Sequence, residues 1–368
     1  MSTIKIEGPV LILGGCGFLG HHLVREFARA SPTPQIVVVD ANTERNRNAS
    51  ATYFTADILQ RDKLAQIFQD VQPQVVLHTI SPYPFEVNHA LLEQVNVVGT
   101  QNILECTKAV GTVRALVYTS SSSVVHNQRS PMVEATEDQP VLLHPNQPEY
   151  YSHTKALAEK MVLAANRENG LLTAVVRPAA LYGAGDSIMT TNVTQQALSG
   201  RANIQFGHQS YLYDTCYVEN CTYAQLLLVK ALLDASSSAP LSADKKIEGE
   251  AFFVTNDEHI PFWNIARIVS ELLGTPVKDD QVKCIPIWLV SMLAWMASWL
   301  YWVFSLGHRQ PKLTPWVIRL LTMERTLCID KIKTRLGYRP LFTNRQGWKK
   351  SLEWAVEYVK ADKGGKTE

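Results

Sequence analysis

The sequence predicts an α/β protein built on a doubly wound parallel sheet. Three observations carry that expectation. Short apolar runs alternate with helical patterns through the first half of the chain. The first run breaks into spaced glycines that open a helix, and the second ends on a carboxylate a further helix and turn downstream. Buried, nearly continuous apolar strands separated by helices imply a parallel sheet covered on both faces, with right-handed connections.

The first element is "VLIL" (10–13). Its apolar run is too short for a signal-peptide core and no small-residue cleavage site follows, so it reads as a buried strand. The turn after it, "GGCGFLG", spaces Gly14, Gly17 and Gly20 as GxxGxxG and leads into the helical pattern "GHHLVREFARA". A Cβ in such a turn would keep backbone N–H groups away from a pyrophosphate, which the helix N-terminus then faces with its partial positive charge. The second strand, "QIVVVD" (35–40), ends on Asp40. A carboxylate there accepts hydrogen bonds from an adenosine ribose 2′-OH and repels a 2′-phosphate, which favours NAD. Arg45 and Arg47, just downstream, keep NADP open. Asp57, in "TADI", is a candidate adenine-edge contact and equally an exposed turn carboxylate. "QVVLHT" (74–79), the helical "VVGTQNILECTKAV", "ALVYTS" (115–120) and "LTAVVRP" (172–178) complete the alternation. Residues 1–185 are therefore assigned to a Rossmann-type nucleotide-binding domain, and 186–368 to a smaller, mixed substrate-binding region.

The chemistry is expected on the next helix, "PEYYSHTKALAEKMVLAAN". Tyr151 and Lys155 are four apart and share one face, whereas Tyr150 has Thr154 at that spacing. An ammonium beside a phenol stabilises the phenolate, which can then exchange a proton with a substrate oxygen. One element earlier, "YTSSSSVV" (118–125) closes a strand with four serines, at the sheet edge where ligands sit in this architecture.

Composition narrows the function. Hydrophobic residues make up 46% and charged residues 19%, with a net charge of +1 and no basic stripe, which argues against nucleic acid as a partner. The six cysteines include no CxxC pair and read as reduced thiols of a cytosol-facing protein. His21 and His22 have no partners at ligand spacing, so no metal is assigned. The polar end, "KADKGGKTE", is expected to fray.

One segment does not fit a soluble enzyme. Residues 284–307, "CIPIWLVSMLAWMASWLYWVFSLG", contain no Asp, Glu, Lys or Arg. As a helix they would extend roughly 36 Å, enough for a hydrocarbon core. A single span, a monotopic element and a buried core helix compete. The scattered tryptophans suit a membrane interface, and His308, Arg309 and Lys312 follow. Monotopic attachment is favoured, because "PKLTPWVIRLL" and "IDKIKTRLGYRPLF" read as parts of the same fold.

The order GxxGxxG, Asp40, "NVVGTQNILE" (96–105), "YTSSSS", "YSHTK" and "RPAALYGAGD" (177–186) resembles the extended short-chain dehydrogenases/reductases. Within them the chain is similar to the 3β-hydroxysteroid dehydrogenase family, and to its fungal sterol-4α-carboxylate 3-dehydrogenase (decarboxylating) subgroup, over about residues 8–358. "YDTCYVEN", "PKLT" and "IDKIKTRLGYRP" carry the finer likeness. The resemblance implies Tyr151 as catalytic acid/base and Lys155 as its partner and a ribose contact. It implies Ser121 as the hydroxyl that holds the substrate oxygen, with Ser120, Ser122 and Ser123 as rivals. Asn96 would support the lysine or the fold, or cap a helix, and Arg177 and Pro178 would border the nicotinamide. The implied reaction is NAD-dependent oxidation of a sterol 3β-hydroxyl, with loss of a 4α-carboxylate as CO₂. The implied setting is the cytosolic face of the endoplasmic reticulum membrane, with a cytoplasmic enzyme as the alternative, as a homodimer or beside other sterol-pathway enzymes. Two departures, "SIMTT" (187–191) and Thr215, are expected near the substrate mouth. They keep open a paralogue acting on a terpenoid or another secondary metabolite. A non-catalytic dinucleotide-binding regulator is the minor alternative.

Overall fold

The computed structural model describes residues 6–208, 210–236, 242, 245–305, 311 and 313–364. Its main sheet has seven strands: β1 (Val10–Leu13), β2 (Ile36–Asp40), β3 (Ala51–Thr55), β4 (Val75–His78), β5 (Ala115–Thr119), β6 (Leu172–Pro178) and β7 (Glu250–Val254). They lie in the order β7-β6-β5-β4-β1-β2-β3, every pairing parallel. The order reverses between β1 and β4, and that switch point lies beside the glycine turn.

The apolar runs are continuous because both faces of the sheet are covered. In β1, Val10 and Ile12 point into one cluster with Leu23 and Phe27 of α1 (Phe18–Ala28), while Leu11 and Leu13 enter another. The second cluster holds Phe68 of α2 (Arg61–Val71), Ile103 of α3 (Gly99–Val110) and Val162 of α4 (Tyr150–Ala164). Strand β3 escaped the sequence reading because it is an edge strand with no fully buried residue.

The division at residue 185 does not separate two sheets. Strand β7 comes from the later segment and completes the main sheet against β6. Conversely, Met132–Ala135 joins a small mixed sheet with Leu212–Tyr213, Ile260–Pro261 and Arg325–Leu327.

The helix α5 (Val218–Ser236) buries Tyr217, just before it, and Asn220 in its first turn. Asn220 bonds Asn256 and the Phe342 carbonyl, so these two residues serve packing. Thr215 is also fully buried and donates to Asn344 Oδ1 at 2.5 Å, and Thr190 Oγ1 accepts from the Gly183 N–H. Thr215 therefore lies in the core, not at a substrate mouth, because its hydroxyl is taken by the C-terminal helix Asn344–Gly364. That helix also runs into the tail expected to fray, as far as Gly364.

The charge-free segment forms α6 (Ile287–Ser305). Only Val290 and Ala294, one turn apart, are buried, against Ile318 of α7 (Pro315–Leu321). Trp288 is 68% exposed and Phe304 85%, with Trp295, Trp299 and Trp302 also exposed. A core helix would be mostly buried, so the core reading fails. Residues 306–310 and Lys312 lie outside the described residues, and with them the flanking His308 and Arg309.

Candidate active site

The glycine turn is shaped by close approach. Gly14 has φ +83°, which a side chain would strain. A Cβ on Gly20 would stand 2.1 Å from the Gly14 carbonyl oxygen, so α1 can lie against β1 only with glycine there. Gly17 caps α1 and bonds back to the Gly14 carbonyl at 3.0 Å, and no acidic residue occupies the first turn. The N-terminal N–H groups of α1 therefore face an anion site at the switch point.

Asp40 closes β2 beside this turn. Its Oδ2 accepts from the Cys16 N–H at 3.0 Å and its Oδ1 from the Asn42 N–H at 3.1 Å. Asn46, at φ 52°, donates to the Cys16 carbonyl and ties the following loop to the glycine turn. Arg47 stacks on the Tyr53 ring at 4.6 Å. Asp57 is exposed and accepts from the Leu59 N–H at 2.9 Å, which leads the chain into α2. The turn and Asp40 fit a dinucleotide: glycines where a Cβ would collide, a helix N-terminus and a carboxylate at the end of β2.

Helix α4 begins on a carboxylate cap. Glu149 accepts from the Tyr151 N–H at 2.9 Å and from the Ser152 N–H at 2.6 Å. Lys155 is 1% exposed, and its Nζ donates to the Thr119 carbonyl at the end of β5, 2.5 Å away, and lies 4.3 Å above the Tyr118 ring. Burial pushes its ammonium down to about 7, opposed by the carboxylate of Glu159 one turn on. Burial also pushes the Tyr151 phenol up to about 12, eased by the Ser81 hydroxyl and reinforced by Glu149. The expected pairing is thus less direct than the i,i+4 spacing suggested. Lys155 gives one of its three N–H donors to Thr119 and lies over Tyr118, and Ser81 is the group that eases the phenol.

The serine run resolves by exposure. Ser120, Ser122 and Ser123 are buried, while Ser121 is partly open. Ser121 Oγ lies 2.8 Å from Ser123 Oγ, which lies 2.7 Å from Ser152 Oγ. That contact and the Lys155–Thr119 bond fix the end of β5 against the first turns of α4. Asn96 sits in a π-turn, Gln94–Val98, in mid-helix rather than at a cap. It accepts from Ser81 at 3.1 Å and donates to Thr154 at 2.9 Å. Arg177 and Pro178 are the last residues of β6, as the run 172–178 implied. The Arg177 side chain is buried against Glu159, with contacts of 2.5, 3.1 and 3.2 Å, so only its backbone is free to border a cofactor.

Sequence reasoning missed Ser81, Glu149, Ser152 and Glu159. Glu149 and Glu159 carried a signal: a carboxylate at a helix start, and another four residues after Lys155. Ser81 reaches the phenol from the loop after β4, and nothing local marks it. Among the described residues no cluster of His, Cys, Asp or Glu could hold a metal ion.

Sheet order and glycine turn are those of an extended short-chain dehydrogenase/reductase. The solved folds agree. The Thermus thermophilus UDP-glucose 4-epimerase in complex with NAD aligns with TM-score 0.69 at 19% identity, covering 95% of this chain and 99% of the epimerase. The epimerase Mth375 of Methanothermobacter thermautotrophicus aligns with TM-score 0.71 at 19% identity, covering 97% and 94%. Residues 11–286 match the model of the 3-beta hydroxysteroid dehydrogenase/isomerase family, and the chain belongs to that family. It is 33% identical to the sterol-4-alpha-carboxylate 3-dehydrogenase, decarboxylating, of Saccharomyces cerevisiae, over 96% of this chain and 99% of the yeast protein. It is also 33% identical to 3beta-hydroxysteroid-dehydrogenase/decarboxylase isoform 1 of Arabidopsis thaliana, over 100% of this chain and 84% of that protein.

Proposed function

We propose that this chain oxidises the 3β-hydroxyl of a 4α-carboxysterol with NAD, and that the product loses CO₂. The observation that carries the reading is the conjunction of Tyr151, Lys155 and the open Ser121 at one sheet edge. The near-full-length likeness to decarboxylating sterol dehydrogenases supports the substrate class. NAD, when bound, accepts the hydride from C3. Ser121 and Tyr151 hold the 3-oxygen, and Tyr151 as phenolate takes its proton. Lys155, anchored to Thr119, fixes the strand–helix junction that presents both. The resulting 3-ketone with a C4 carboxylate is a β-keto acid, which releases CO₂ through its enol without a dedicated side chain. The test is turnover of a detergent-dispersed 4α-carboxysterol with NAD⁺, following NADH and CO₂ together. Equal amounts of both are expected. NADH without CO₂ would remove the carboxylate from the proposal, and neither product would remove the sterol.

The same reading places the enzyme on the cytosolic face of the endoplasmic reticulum membrane, attached by α6. The helix is about 28 Å long. Leu313 packs beside Val290 and Ala294 at its base. Leu313, eight residues after Ser305, is thus back beside the first half of the helix. Arg325–Leu327 then pairs with Met132–Ala135 of the catalytic body. A helix that dips into one leaflet fits a Leu313 on the same side as its first half, whereas a full crossing would separate parts of one sheet. Wild-type protein is expected to float with phosphatidylcholine vesicles. Replacing Trp295, Trp299 and Trp302 by glutamate should weaken that partitioning by about tenfold or more. Equal flotation of the two proteins would remove the attachment.

A further inference from the structure

The loop after β4 carries an aromatic arm that starts at the phenol. In the run SPYPF (81–85), Ser81 and Tyr83 each precede a proline, which favours extended backbone at both. Pro84 and Phe85 form the corner of a turn that the Glu86 N–H closes on the Tyr83 carbonyl at 3.0 Å. At one end of this stiff segment Ser81 bonds the Tyr151 phenol. At the other the Tyr83 and Phe85 rings lie 5.4 Å apart, 51% and 45% exposed. The Phe85 ring meets Trp316 of α7 edge to face, with centroids 5.9 Å apart.

Trp316 leads back to the catalytic helix. Its Nε1 donates to Gln128 Oε1 at 2.8 Å, and Gln128 Nε2 donates to Ser152 Oγ, beside Tyr151 on α4, at 3.4 Å. Gln128 is buried and holds φ at 57°, a conformation that strains a residue with a side chain and persists only where neighbours fix it. The contacts thus close a circuit through Tyr151, Ser81, Phe85, Trp316, Gln128 and Ser152. None of these side chains carries a charge at neutral pH, so the rim suits hydrocarbon and supplies no cation to a phosphate. Helix α7 joins this rim to α6. Ile318, two residues beyond Trp316 and so on the opposite side of α7, packs on Val290 and Ala294.

We propose that Phe85 and Trp316 are specificity-determining residues: they hold the hydrocarbon part of the substrate while its oxygen lies at Tyr151. The assignment deepens the sterol reading and rests on it. Four residues of chain separate Ser81 from Phe85 and span at most about 14 Å, so the rings lie within a sterol's length of the phenol. An edge-to-face pair leaves ring faces open, and a flat apolar molecule that extends from the phenol covers them. The Trp316 N–H is taken by Gln128, so the surface that the pair presents is apolar. Side-by-side exposed aromatics on a stiff turn mark a binding surface, since a core would have covered them.

The experiment measures ketone binding to the full chain with NAD⁺, a combination between which no hydride can pass. Two ketones share a cyclohexanone ring and differ in length: trans-2-decalone, which ends near the phenol, and 5α-cholestan-3-one, which reaches the rings. Phe85→Ser should weaken 5α-cholestan-3-one by about tenfold, the effect of uncovering part of one aromatic contact, and leave trans-2-decalone unchanged. Trp316→Leu should do the same. Phe85→Leu, which keeps an apolar side chain, should restore most of the affinity. Val87→Ser removes a more exposed apolar side chain from the same loop and should change neither ligand. NAD⁺ affinity should be equal in all five proteins, which reports an intact fold. Unchanged binding of 5α-cholestan-3-one in Phe85→Ser or Trp316→Leu, a loss shared by trans-2-decalone, or an equal loss in Val87→Ser would overturn the proposal and leave the sterol reading standing. A wild type that binds trans-2-decalone alone, or neither ketone, would remove the sterol reading and this assignment with it.

Discussion

Replacing Tyr151 with phenylalanine is expected to lower turnover by about 10³-fold while leaving NAD binding intact, since general acid–base groups contribute roughly 10²–10⁴-fold. The substitution removes one oxygen from a helix face whose neighbours are already fixed. Lys155 keeps its bond to Thr119, and Glu149 keeps its bonds to the two backbone N–H groups. NAD affinity, read by fluorescence titration, is expected to rest on the glycine turn and Asp40, at the ends of β1 and β2. A matching pH dependence follows. Burial holds the Tyr151 phenol up at about 12, so the base form is scarce near neutrality in the absence of cofactor. Oxidation of the alcohol should therefore speed up as pH rises and the phenolate fraction grows. A variant that loses NAD binding in step with turnover would mean that the ring holds the cofactor site together. Full activity in the variant would remove Tyr151 from the chemistry.

The second large effect concerns stability. Arg177→Met is expected to destabilise the fold by about 3–5 kcal/mol, the usual cost of leaving one member of a buried ion pair alone. Glu159 is fully buried and Arg177 nearly so. Without the guanidinium, the buried Glu159 carboxylate would lose its ion-pair partner and keep only the Lys155 ammonium one turn back on α4. The double variant Arg177→Met/Glu159→Leu should recover most of that loss, because an apolar pair of similar volume often replaces a buried ion pair without net cost. Activity should not recover with it. Glu159 is the charge that opposes the fall of the Lys155 pKa, so its removal leaves less of the ammonium at neutral pH. Denaturant midpoints and kcat, measured on the same three proteins, separate the two roles. Parallel recovery of both would make Glu159 purely structural.

Both predictions turn on α4, and α4 shows how far local pattern reaches. Tyr151 and Lys155 could be paired from sequence because a helix puts i and i+4 on one face. That face alone did not reveal what the lysine touches. Lys155 is bonded to a strand end more than thirty residues earlier in the chain, at |i−j| of 36, and the phenol is eased by Ser81 from another loop. Electrostatic neighbours are chosen by packing, and packing joins positions that no spacing rule connects. The serine run makes the same point. Four identical residues in a row cannot be ranked from sequence, and only the exposure of Ser121 against its buried neighbours separates them.

The parallel sheet, the glycine turn, the place of Asp40 and the helix that carries Tyr151 and Lys155 were legible in the residues alone, because each depends on short-range geometry: strand alternation, a turn that admits no Cβ, and one helix face. So was the absence of charge from 284–307. The tertiary structure decided the rest. It drew β7 from the later half into the main sheet, sent Thr215 into the core, and left α6 standing out from the body on two buried residues. A long apolar run has the same composition whether it lines a core or meets lipid. Only the neighbours that do or do not cover it distinguish the two, and those neighbours come from distant parts of the chain.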